Sequence, residues 1–112
     1  MDGSSMGSEW VAVSKVAEIP VRGARVLRAN GLEIGVFRTS TGEVYAIDNR
    51  CPHKKGPLSE GIVHDSAVTC PLHNWVIDLR SGKARGADEG CVTTYPVELR
   101  EGDVIYVQTP CA

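Results

Sequence analysis

No stretch of this 112-residue chain approaches the roughly 20 consecutive apolar residues that carry a helix across a bilayer. Nor does an apolar segment follow a basic N-terminus as in a secretory signal. No membrane partner is expected, and the chain reads as cytoplasmic. An excess of one charge is also missing, since 12 basic residues stand against 14 acidic ones for a net charge of −2. Nucleic acid is therefore not an expected partner, because a polyanion-binding surface needs a basic excess. A helical period is absent as well: no segment keeps apolar residues in 3.6-residue spacing over three turns, and at most Ser14 to Ile19 make a short helical turn before Pro20. At this length one domain with a modest core is expected. Residues 1–8, rich in Gly and Ser, read as a flexible leader, and residues 9–109 as the single domain.

What is present is the punctuation of an all-β chain. Trp10 to Val13 opens with a short strand pattern. Ala24 to Arg28 and Leu32 to Arg38 flank Asn30-Gly31, a strong two-residue hairpin signal. Val36 to Arg38 and Glu43 to Ile47, separated by Ser40-Thr41-Gly42, form a second hairpin. Ala67 to Thr69 and Trp75 to Leu79 precede a turn at Ser81-Gly82. Tyr95 to Leu99 and Val104 to Val107 surround Glu101-Gly102-Asp103 as a last hairpin. Many short antiparallel strands at this spacing predict a sandwich or barrel.

Between these strands lie two loop-like stretches with the same chemistry: Cys51-Pro52-His53, and, after sixteen intervening residues, Cys70-Pro71-Leu72-His73. Each supplies one thiolate and one imidazole. A Rieske-type [2Fe–2S] centre needs two Cys on one iron and two His on the other, and two Cys-His loops meet that demand. Structural zinc is the competing use, but its loops more often pair Cys-x2-4-Cys with His-x3-5-His or with a second Cys pair. A Cys/His nucleophile fits worse, because nothing designates one Cys with one orienting His and a separate Asn or Asp. Cys51, His53, Cys70 and His73 are thus the candidate metal ligands. Cys91 and Cys111 are left over and read as free thiols rather than a disulfide.

The first loop, Cys51-Pro52-His53-Lys54-Lys55-Gly56-Pro57-Leu58-Ser59-Glu60-Gly61, and the second, Val68-Thr69-Cys70-Pro71-Leu72-His73-Asn74-Trp75, resemble the cluster loops of Rieske [2Fe–2S] domains. With the continuation Val76-Ile77 and Leu79-Arg80-Ser81-Gly82, the second loop is most similar to the small subunit of assimilatory NAD(P)H-dependent nitrite reductase. Oxygenase ferredoxins usually carry Gly where Asn74 stands. The resemblance spans about Trp10 to Gln108. It implies stacked antiparallel sheets with a small cluster-binding subdomain, about residues 49–80, at the tip. It also implies an electron-transfer subunit with no substrate site of its own. The implied partner is a large subunit carrying FAD, a [4Fe–4S] cluster and sirohaem, where nitrite becomes ammonia. Two alternatives stand beside this: a ferredoxin feeding a ring-hydroxylating dioxygenase or related oxygenase, and a zinc-stapled or metal-free assembly module.

The resemblance sharpens several smaller readings. High-potential members join their loops by a disulfide, at positions that here hold Gly56 and Leu72, so that bridge is absent. They also place Ser and Tyr hydroxyls two and four residues after the second His, where this chain has Trp75 and Ile77. Its potential is therefore expected at the low end of the roughly −150 to +300 mV Rieske range. Loop N–H groups made accessible by Gly56 and Gly61 are the expected donors to the cluster. Trp75 is expected to pack over the cluster base, and His64, beside Asp65, to be a solvated turn residue. Arg50, Lys54 and Lys55, tempered by Glu60, form either a solvated rim or a docking surface for an acidic partner.

Overall fold

Strand β3 (Leu32–Arg38) is the middle of the molecule because both of its faces are apolar. Ile34 and Val36 point to one side and Phe37 to the other, and all three are wholly buried. The computed structural model describes residues 8–50, 57–70, 75–85 and 90–110. Within them, β2 (Ala24–Ala29), β3, β4 (Val44–Asp48) and β8 (Thr94–Tyr95) form one antiparallel sheet in the order β2-β3-β4-β8. The β2–β3 hairpin turns at Asn30 and Gly31, with φ of 52° and 77°. Two left-handed residues in a row are what a turn matching strand twist requires.

On the Ile34 and Val36 side lies a second sheet, β1-β10-β9, made of β1 (Ser8–Lys15), β10 (Val104–Pro110) and β9 (Val97–Arg100). Ile105 and Val107 of β10 close a core there with Ile19, Ile34, Val36, Ala46 and Tyr95. On the Phe37 side lies a third sheet, β5-β6-β7, made of β5 (Ile62–His64), β6 (Ala67–Thr69) and β7 (Val76–Asp78). Its Val63, Val68 and Ile77 pack with Phe37, Ile47, Leu58, Cys70 and Leu79 into the second core. The all-β class and the stacked antiparallel sheets expected from the sequence are what the chain adopts.

Some boundaries differ from expectation for local reasons. The helical turn before Pro20 is a single 3-10 turn, Val16–Glu18, with the Glu18 carboxylate accepting from the Lys15 N–H at 3.0 Å. The expected run from Tyr95 to Leu99 is two strands. Pro96 lacks an N–H, and the chain changes sheets there, from β8 paired with β4 to β9 paired with β10. Strand β5 was not anticipated, and neither was the 3-10 turn Leu58–Glu60. Both are only three residues long, too short for a period to show.

Candidate metal centre

Of the four candidate ligands, Cys70 lies among the described residues; Cys51, His53 and His73 lie outside them, as do Lys54, Lys55, Gly56, Leu72, Asn74 and Cys111. Cys70 follows directly on β6. It is wholly buried and in no disulfide. Its N–H donates to the Trp75 carbonyl at 2.6 Å, so the two ends of the second loop are joined. Trp75 is half-buried against the core that contains Cys70, Leu58 and Phe37.

The first loop is fastened at its base by Asn49, a residue that sequence reasoning treated only as a boundary. Asn49 is 2% exposed. Its Oδ1 accepts from the Ser59 N–H at 2.6 Å, and its Nδ2 donates to Glu33 Oε2 at 2.8 Å. Ser59 belongs to the Leu58–Glu60 turn, closed by Glu60 N–H to the Pro57 carbonyl and Gly61 N–H to the Leu58 carbonyl. Leu58, wholly buried, drops into the same core as Cys70. The near ends of both loops are thus held against one apolar core.

Gly61 donates its own N–H to the Leu58 carbonyl, and a Cβ at this position would run into the Thr69 carbonyl of β6, so glycine is required here for close approach. One reading needs correction. His64 is not a solvated turn residue. It ends β5, is half-buried, and its Nε2 lies 2.7 Å from Thr69 Oγ1 across the β5–β6 pair. Asp65, with φ of 51°, makes the turn that follows.

Charges around the base are arranged by neighbours. Burial raises the Asp48 carboxyl above its ordinary range and Glu33 adds to this, while Arg50 opposes it. Burial would also raise Asp78, but hydrogen bonds from Ser81 and Arg85 outweigh it and hold this carboxyl low. Arg50 and Cys91 are exposed.

The residue chemistry suits an iron–sulfur centre: two Cys and two His in two loops, with the one described candidate, Cys70, walled by apolar side chains. A metal cation would offset the cost of burying a charged sulfur in such a wall. The sequence profile of the Rieske-like [2Fe–2S] domain matches residues 9–108. The chain belongs to this family. As a Rieske domain it is an electron-transfer protein with a Rieske-type [2Fe–2S] cluster as its cofactor. It is 38% identical over 96 residues to the 3-phenylpropionate/cinnamic acid dioxygenase ferredoxin subunit of Photorhabdus laumondii, covering 82% of this chain and 88% of that one. The carbazole 1,9a-dioxygenase ferredoxin of Nocardioides aromaticivorans superposes with a TM-score of 0.81 at 29% identity, over 90% of this chain and 97% of that one. A Mycobacterium tuberculosis protein described as an NADH-dependent nitrite reductase small subunit gives a TM-score of 0.85 at 21% identity, over 94% and 98%. That last likeness is one of fold. Among the described residues of this Rieske domain no helix is long and apolar enough to cross a membrane.

Proposed function

We propose that the chain is the electron-transfer small subunit of a cytoplasmic NAD(P)H-dependent nitrite reductase, with Cys51 and Cys70 holding one iron and His53 and His73 the other. The cluster-bearing part is the segment from about 49 to 80. When bound, the cluster accepts and returns one electron, at a potential above that of an all-thiolate site because neutral imidazoles replace two thiolates. The residues of this chain hold it: one loop is closed by Asn49 onto Ser59, the other by Trp75 onto Cys70. No organic substrate is assigned to this chain, so turnover belongs to a large flavin- and sirohaem-containing subunit.

The observation that carries this reading is the run Cys70-Pro71-Leu72-His73-Asn74-Trp75 passing into β7 and the turn at Gly82, whose N–H bonds the Asp78 carbonyl at 2.7 Å. The second reading, a ferredoxin serving a dioxygenase, is favoured by the 38% identity to such a ferredoxin subunit. Mixing decides between them. The purified chain should restore or raise NAD(P)H-dependent nitrite reduction by a cognate large subunit, and His73→Ala should abolish the gain. Efficient reduction of an oxygenase from the same genome, with no effect on nitrite turnover, would put the ferredoxin reading first.

A further inference from the structure

The polar chain beneath the first loop is longer than packing requires. Arg28 on β2 lies 3.6 Å from Glu33 Oε1, Glu33 Oε2 accepts from Asn49 Nδ2 at 2.8 Å, and Asn49 Oδ1 accepts from the Ser59 N–H at 2.6 Å. The Asn49 N–H also donates to the Glu33 carbonyl at 3.0 Å. An amide is the one side chain of this size with a donor and an acceptor on opposite corners. Its orientation is forced, since a carboxylate on one side can only accept and a peptide N–H on the other can only donate. The amide bridges ten residues of sequence, from just before Arg50 to just beyond Pro57. Both polar ends of the buried Asn49 amide are satisfied.

We propose that Asn49, oriented by Glu33, is the positioning residue of the first ligand loop: by clamping residues 49 and 59 together it sets the separation of the loop's two ends and so controls how firmly that loop keeps iron. This rests on the reading of Cys51 and His53 as ligands. Asn49 is not itself one of them. Its effect is exerted through the closed ends of the loop, as the supporting groups around a metal site commonly act.

The relay can be reversed, which gives a test that a general packing role would not pass. Asn49→Asp keeps the acceptor for Ser59 but sets a new carboxylate against Glu33, close to the already disfavoured Asp48. Adding Glu33→Gln supplies a donor to the new carboxylate and rebuilds the bond with opposite polarity. The measurement is the rate at which the visible chromophore of the anaerobic protein bleaches in an iron chelator, alongside the unfolding midpoint by circular dichroism. Asn49→Ala and Asn49→Asp should each release iron on the order of tenfold faster, the size expected for one buried hydrogen bond left unmade. Glu33→Gln alone should behave as wild type. The Glu33→Gln, Asn49→Asp pair should return to within about threefold of it, again by one recovered bond. Wild-type release from Asn49→Ala, or a double variant no slower than Asn49→Asp, would overturn the inference. So would lower unfolding midpoints with unchanged release. A Cys51→Ser protein that keeps its full iron would instead overturn the ligand reading, and the inference with it.

Discussion

Single residues set how tightly the middle sheet packs. Gly35 on β3 faces the same side as Phe37, and a Cβ built on it would lie 2.7 Å from Phe37 Cε1 and 3.3 Å from Asn49 Oδ1. Gly35→Ala should therefore push the Phe37 ring and the Asn49 amide together. The expected loss is about 1–3 kcal/mol, the usual cost of overpacking a filled core, read as a lower denaturant midpoint. Asp78 acts through charge. Its folded-state pKa is lowered by Ser81 and Arg85 despite opposing burial, so its stabilising contribution is present above the unfolded carboxylate value of about 3.9 and is lost as pH falls through the lower folded value. Asp48, raised by burial, works in reverse and costs stability once ionised. Melting curves from pH 7 to pH 3 should show Asp78→Asn less stable than wild type at neutral pH and approaching it in acid, with Asp48→Asn the more stable of the two at neutral pH.

At the scale of elements, the β5-β6-β7 sheet is the part on which the loops depend. Gly61 lets β5 leave the Leu58–Glu60 turn while lying against the Thr69 carbonyl of β6. Gly61→Ala should pry these strands apart next to Cys70. The expected result is faster amide exchange confined to residues 62–69, with β2, β3 and β10 unchanged, since those pair in other sheets. Elements with a local signal were legible in the sequence: the Asn30-Gly31 hairpin needs two adjacent left-handed residues, and β4 carries its own hydrophobic run. The Rieske family was legible as well, because the spacing of the two Cys-His motifs is itself the chemistry, and the family profile matches residues 9–108. Asn49 was not, because its partners Glu33 and Ser59 stand sixteen and ten residues away, and no short pattern encodes such a contact. His64 was misread for the same reason, its partner Thr69 being reached only across a strand pair.

For the whole molecule, the framework and the loops are separable. Among the described residues, the core between the β1-β10-β9 and β2-β3-β4-β8 sheets contains no candidate ligand, so loop substitutions should spare the fold. Docking is expected at the loop end, where Arg50 is exposed and Lys54 and Lys55 follow in sequence. Reversing both lysines to Glu should slow association with the redox partner at low ionic strength, and the difference should fade as salt screens it beyond about 10 Å at 0.1 M. The most direct test of the account is the metal content of the anaerobically purified protein. Two irons and two acid-labile sulfides per chain, as a Rieske centre requires, lost together in Cys51→Ser and in Cys70→Ser, are the predicted result. Stoichiometric zinc, with no visible chromophore after iron–sulfur reconstitution, would contradict it.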